Sequence, residues 1–220
     1  MLIDHAAIDG RGLSADVCVI GGGPAGLTVA AELADGGVDV IVLEAGGAAY
    51  DRHDRRNTAK ILRDHASGAQ ALARGRVTGE PYYPLRMSRA RGLGGSTNAL
   101  MRHGLRSRPL DSIDFRPPRF ASGWPIEYRE LAAFLPAAEV YAGVRSEEEE
   151  PLDWEATSPR IGSGVLESMV AGPFRHGSRL QFPHLAATLA SLSQPRVVTS
   201  AVVTGLRMGT SGSVQGVDAA

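Results

Sequence analysis

The feature that most narrows what this chain can fold into lies in residues 15–44. A short β-branched apolar run, Ala15-Asp16-Val17-Cys18-Val19-Ile20, leads directly into Gly21-Gly22-Gly23-Pro24-Ala25-Gly26. The run predicts a strand buried on both faces. Pro24 stands where the first turn of a helix needs no N–H, and Leu27, Val29, Ala30, Ala31 and Leu33 continue as a helix apolar nearly all round. Asp35-Gly36-Gly37 ends it, because glycine enters the left-handed C′ conformation without a Cβ clash. A second buried strand, Val38 to Leu43, follows and closes with Glu44. Strand, tight turn, helix and strand in this order make a βαβ unit, whose right-handed crossover implies a parallel sheet.

The glycines in that turn have the spacing G-x-G-x-x-G at Gly21, Gly23 and Gly26. Gly21 permits the tight turn, Gly23 lets backbone approach a pyrophosphate, and Gly26 lets the helix pack closely on the sheet. The helix start then offers unpaired N–H groups and a partial positive charge to phosphate. Glu44, 18 residues past Gly26 at a strand's end, is placed to accept hydrogen bonds from ribose hydroxyls. Its charge disfavours a 2′-phosphate, so NADP is not expected; the fingerprint alone leaves FAD and NAD open. Gly46 and Gly47 suggest a loop cleared of side chains beside the ribose. A second cluster, Arg91-Gly92-Leu93-Gly94-Gly95-Ser96-Thr97-Asn98, joins adjacent glycines to short polar groups and reads as backbone held close to another body, or as a surface turn.

Composition bounds the rest. A 220-residue chain with 43% hydrophobic and 21% charged residues is ordinary globular material. Its 27 glycines and 13 prolines predict many loops. A net charge of −1 gives no global field for nucleic acid or an anionic membrane. Cys18 is the one cysteine, so neither an intrachain disulfide nor a cysteine-based metal cluster can form, and no metal site is expected. Its apolar neighbours predict a buried thiol. No apolar stretch reaches the ~18–20 residues of a membrane span, and the first twelve residues have no apolar core of a secretory signal. A soluble, cytoplasmic protein is the expectation.

Beyond the βαβ unit, a helix is compatible with Ala59–Leu72, and residues 81–123 read as loops. A helix is expected from Pro125 to Tyr141, kinked or ended by Pro136. Glu147–Glu150 reads as a solvated turn. Arg196–Arg207 alternates as a strand, Gly209–Ser213 as a turn, and Val214–Ala219 as a returning strand. The expected organisation is an N-terminal extension over 1–14 and a dinucleotide-binding domain over 15–220. The latter carries a loop-rich insertion of about residues 50–195. A chain stopping on a forming strand suggests that this α/β domain is truncated before a further domain.

The first fingerprint with Glu44-Ala45-Gly46, the segment Arg91–Asn98, the stretch RPLDSIDF at 108–115 and SGWPIEYREL at 122–131 together resemble the glucose–methanol–choline oxidoreductases. They are nearer that family's bacterial sugar- and glycoside-oxidising branches. The resemblance runs from about Asp16 to Val217 and implies a Rossmann-like, FAD-binding parallel sheet. It implies Gly21, Gly23, Pro24, Ala25, Gly26 and Glu44 at the pyrophosphate and adenosine ribose. It implies Arg91, Gly94, Gly95, Ser96, Thr97 and Asn98 along the flavin, and Val203 at the adenine. Members with covalent flavin use a histidine in the second loop; this chain has Ala99 there and His103 further on, so noncovalent FAD is expected.

The implied reaction is hydride transfer from the carbon of an alcohol or sugar to flavin N5, with a histidine base in a C-terminal half beyond residue 220. The six histidines here fall in no such pairing, and no catalytic residue is assigned. The electron acceptor is left open. Two alternatives stand beside this reading. One is another class of flavin enzyme sharing only the βαβ unit. The other is a nucleotide-binding remnant that needs a partner chain to react.

Overall fold

The structure is a computed structural model that describes residues 1–8, 10, 12–48, 78–79, 91–100, 106–107, 124–142, 175–176, 189 and 193–220. The chain divides into two compact units, Met1–His103 with Phe182–Ala220, and Gly104–Gln181. Among the described residues the strands are β1 (Leu2–Asp4), β2 (Val17–Ile20), β3 (Val40–Leu43), β4 (Arg106–Ser107), β5 (Arg175–His176), β6 (Arg196–Thr199), β7 (Val203–Met208) and β8 (Val214–Ala219). The α-helices are α1 (Pro24–Asp35), α2 (Tyr128–Ala132) and α3 (Leu135–Tyr141).

The first unit is built on a four-stranded sheet in the order β1-β6-β3-β2, every neighbouring pair parallel. This is the Rossmann-like α/β architecture the βαβ unit implies. Helix α1 leaves β2 and returns into β3. Its end is a Schellman motif: Gly37 has φ +81°, its N–H bonds the Ala34 carbonyl, and the Val38 N–H bonds the Leu33 carbonyl, each at 3.0 Å. Two orphan carbonyls are thereby satisfied and the chain reverses toward β3. Leu27 and Ala30 of α1 close over Val40, Val42 and Val197, with Leu93 and Leu189 completing a buried cluster and Val17 and Val19 at its margin.

Only one face of β2 is covered by that helix, so the strand alternates rather than being buried on both faces. Cys18 is exposed and Ile20 is 53% exposed, which corrects the reading of a buried thiol. A run of β-branched apolar residues announces a strand but does not say how many layers cover it. Residues 1–14, read as an extension, contribute β1, which pairs in register with β6 from Leu2↔Val197 to Asp4↔Thr199.

The predicted strand over Arg196–Arg207 is two strands. It breaks at Ser200, which has φ +59°. β6 stays in the parallel sheet, and β7 pairs antiparallel with β8 across a turn at Gly209–Ser213. On the sheet's second face Ile41, Val198 and Ala201 form a smaller buried cluster, with Ile3, Ile8, Leu43 and Ala219 against it. A cavity of about 850 Å³ lies there, lined by Cys18, Ile20, Ile41 and Leu43 and by hairpin residues such as Leu206 and Val217.

In the second unit the helix expected from Pro125 to Tyr141 is a pair, α2 and α3. Pro136 has no N–H for the carbonyl one turn back, and it falls in the first turn of α3, where none is needed. Glu127 and Glu130 close a capping box at the start of α2, satisfying two backbone donors reciprocally. β4 and β5 form a short antiparallel pair, Arg106↔His176 and Ser107↔Arg175. The expectations for Ala59–Leu72, for most of 81–123 and for Glu147–Glu150 lie outside the described residues. Among the described residues no helix is long and apolar enough to cross a membrane.

Candidate functional site

The site forms where the carboxyl ends of β2, β3 and β6 carry the chain into turns. In open parallel sheets ligands bind at this edge, because helix N-termini and flexible turns converge there. Gly21 takes φ +104°, outside the range of ordinary side chains, and its N–H extends the β2–β3 pairing to the Leu43 carbonyl at 2.8 Å. Gly23 caps α1 in an extended conformation, and no side chain caps the helix. The first-turn N–H groups of Ala25 and Gly26 have no carbonyl within the helix to take them. A Cβ on Gly26 would sit 2.0 Å from the Gly21 carbonyl oxygen and 3.2 Å from Val19 Cγ1. A Cβ on Gly23 would meet nothing within 4 Å. The close packing assigned to Gly26 and the clear approach assigned to Gly23 are both present.

Glu44 is only 6% exposed. Its Oε2 accepts the Gly22 N–H and its Oε1 the Gly46 N–H, both at 2.8 Å. The carboxylate thus brackets two turns together. A carboxylate has about four acceptor positions, so this leaves capacity on both oxygens for further donors. Gly46 does not clear space for a ribose as expected: its Cβ would fall 2.5 Å from Gly92 N and Cα. It is small because the second glycine loop lies against it. Gly47 is the open one, with nothing within 4 Å.

That second loop is locked onto the first by backbone. The Gly94 N–H bonds the Gly22 carbonyl at 2.7 Å, and the Leu93 N–H bonds the Gly47 carbonyl at 3.2 Å. Gly95, at φ +58°, would place a Cβ 2.9 Å from Gly23 Cα. Leu93 is buried in the α1-facing core, and its Cδ1 lies 2.9 Å from where a Gly22 Cβ would be. The Thr97 hydroxyl donates to the Gly94 carbonyl. Arg91 and Ser96 are exposed, and Asn98 lies in the 3-10 turn Gly95–Leu100. His103 lies outside the described residues.

The structure therefore brings Gly21, Gly23, Pro24, Ala25, Gly26, Glu44, Gly94 and Gly95 into one constellation, with Arg91, Ser96, Thr97 and Asn98 on its second loop. Val203 opens β7 and pairs with Ala219 in the hairpin. Four residues that sequence reasoning did not assign to the site belong to it: Gly22, Leu93, Ser200 and Ala201. The Ser200 N–H bonds the Gly46 carbonyl and the Ala201 N–H bonds the Glu44 carbonyl, each at 2.9 Å. The middle glycine of the first loop was a visible signal for Gly22. Leu93 lies inside the second glycine cluster, and Ser200 and Ala201 inside the stretch Val197–Val203 that the family resemblance sets near the adenine, but no residue type there singles out these three.

Cys18 lines the cavity on the sheet's second face, to which none of the glycine loops contributes. Partial burial raises its thiol pKa, which keeps it protonated and unreactive at neutral pH. Among the described residues no group of three or more histidine, cysteine, aspartate or glutamate residues is arranged to hold a metal ion.

A parallel sheet, a glycine turn feeding an uncapped helix N-terminus, and a buried acid at the next strand's end define a dinucleotide-binding α/β domain. The sequence profile of the FAD dependent oxidoreductase family, DAO, matches residues 16–217. The chain belongs to that family, and its cofactor is FAD. No curated protein matches the sequence. Among solved structures, a formate oxidase from Aspergillus oryzae is similar at 17% identity and a TM-score of 0.42, over 93% of this chain and 42% of that one. An L-amino acid deaminase from Proteus vulgaris is similar at 14% identity and a TM-score of 0.36, over 95% of this chain and 51% of that one. The chain thus spans less than half the length of that formate oxidase.

Proposed function

We propose that this chain is the FAD-holding part of an oxidoreductase that oxidises a CH–OH group of an alcohol or sugar, with FAD bound noncovalently. The observation that carries the cofactor half of the reading is the pairing at the start of α1. Its N–H groups are uncapped, and the space a Gly23 side chain would take is clear. An anionic diphosphate fits both, through hydrogen bonds and the helix's positive end. In this reading Gly21, Gly23, Pro24, Ala25 and Gly26 hold the pyrophosphate. Glu44 accepts ribose hydroxyls on the acceptor positions its backbone partners leave free, and its charge repels a 2′-phosphate. Arg91, Gly94, Gly95, Ser96, Thr97 and Asn98 flank the flavin, and Val203 lies toward the adenine.

When bound, FAD supplies the two-electron acceptor that no amino-acid side chain provides. The chain's own contribution is to fix the cofactor from three loops tied by backbone hydrogen bonds, so that the ring meets its substrate in one orientation. The substrate class rests on the resemblance of Arg91–Asn98, 108–115 and 122–131 to the glucose–methanol–choline oxidoreductases. Anaerobic mixing of the FAD-loaded full-length oxidoreductase that contains this chain with a panel of primary alcohols, aldoses, glycosides and L-amino acids tests it. Bleaching of the flavin band by hydroxyl substrates alone is the expected result. Bleaching by amino acids alone, or by no hydroxyl substrate, overturns the CH–OH reading.

A further inference from the structure

The left-handed residue after β6 sits against the acid of the proposed cofactor site. In a parallel ladder a residue bonds the two residues flanking its partner on the next strand. The register Leu43↔Val198 sets Glu44 opposite Thr199. The Glu44 N–H accordingly bonds the Val198 carbonyl at 2.8 Å. Regular continuation would make the Ser200 N–H the donor to the Glu44 carbonyl. Instead Ser200 turns to φ +59°, the Ala201 N–H takes the Glu44 carbonyl, and the Ser200 N–H reaches on to the Gly46 carbonyl.

One inserted residue thus places two hydrogen bonds on the acid loop where the regular ladder would place one. The Gly46 peptide is thereby held on both sides, its carbonyl by Ser200 and its N–H by Glu44 Oε1. The Ser200 hydroxyl also donates to Asp4 Oδ2 at 3.3 Å, tying the turn to the end of β1.

We infer that Ser200 is a positioning residue for the cofactor: its left-handed backbone fixes Gly46, and Gly46 fixes the carboxylate of Glu44 against the ribose. The inference rests on the FAD reading and adds a residue whose role runs through Gly46 and Glu44. Non-glycine residues occupy this conformation at a cost, and β-branched residues hardly at all. FAD affinity should therefore follow tolerance of a positive φ rather than side-chain chemistry.

The test is FAD titration, by flavin fluorescence and flavin circular dichroism, of the wild-type chain and of Ser200→Gly, Ser200→Asn, Ser200→Ala and Ser200→Val. Glycine and asparagine should bind as the wild type does, alanine more weakly, and valine about tenfold more weakly. The same valine substitution in a Glu44→Gln background should lose little more, because both changes act on one carboxylate. Equal affinity across the series, or full additivity with Glu44→Gln, overturns the inference. If Ser200→Val does not fold, the order glycine, asparagine, alanine still decides. A wild-type chain that fails to bind FAD overturns the cofactor reading first and this inference with it; a wild type that binds while the series stays flat overturns this inference alone.

Discussion

Replacing Glu44 should damage the protein before any cofactor is added. Both carboxylate oxygens accept backbone N–H groups, from Gly22 and Gly46, at 2.8 Å, and both glycines are buried. Glu44→Ala strands two buried donors at about 1–3 kcal/mol each, hence about 2–6 kcal/mol, toward the lower end where water enters the vacated space. Glu44→Gln retains one acceptor oxygen but turns an NH₂ toward the other donor, for about 1–3 kcal/mol. Against a typical domain stability of about 5–15 kcal/mol, these losses are measurable by urea unfolding of the flavin-free chain. With m about 2 kcal/mol/M, the glutamine variant should unfold about 0.5–1.5 M earlier, and the alanine variant earlier still. A residue serving only ribose hydroxyls would leave the flavin-free midpoint unchanged. Coincident unfolding curves for all three proteins would refute the bracket role of Glu44.

The glycines separate packing from binding. Gly26→Ala, whose Cβ would meet the Gly21 carbonyl oxygen at 2.0 Å, should lower the thermal midpoint sharply. Gly23→Val enters open space and should keep the wild-type midpoint while FAD fluorescence quenching disappears; retained binding contradicts the pyrophosphate placement. Gly46→Ala, 2.5 Å from Gly92 backbone, should destabilise by more than about 1 kcal/mol through overpacking, seen as an earlier urea midpoint. Burial raises the Cys18 thiol above its ordinary pKa of 9.0. The midpoint of its alkylation rate profile should therefore lie above that of a free thiol, and the folded state should lose stability as pH rises through that range, because the unfolded chain releases that proton first. An alkylation midpoint at or below the ordinary thiol value contradicts this.

The βαβ unit was legible because each of its signals is local. Apolar runs, Pro24 and the glycine pair at 36–37 act within one turn of their own positions, and the structure forms the strand, helix start and helix end they predict. What stayed hidden depends on partners distant in the chain. Gly46 is small because Gly92, 46 positions away, lies on it, a fact no window of sequence contains. The three residues of β1 carry no strand pattern of their own and exist as a strand through pairing with β6. Exposure of Cys18 and Ile20 depends on which face of the sheet a helix covers. The break at Ser200 left no trace, since serine neither demands nor forbids a positive φ as glycine or valine would.

Loop chemistry was legible in kind and not in detail. The place of Glu44 at a strand's end predicts a ribose acceptor. Its two backbone partners are visible only once the turns at Gly22 and Gly46 are folded around it. The sequence of the second glycine loop is compatible with a close approach and with a surface turn. The contacts of Gly94 with Gly22 and of Gly95 with Gly23 decide for close approach.

The central claim is that FAD is held by its diphosphate at the first turn of α1. Backbone amide NMR of the chain, titrated in parallel with FAD, ADP and riboflavin, tests it most directly. The account predicts saturable shifts of the Gly23, Ala25 and Gly26 amides with FAD and with ADP, and none at those positions with riboflavin, which lacks the diphosphate. Shifts confined to the second face of the sheet, around Cys18 and Leu206, or equal shifts with riboflavin, would contradict it.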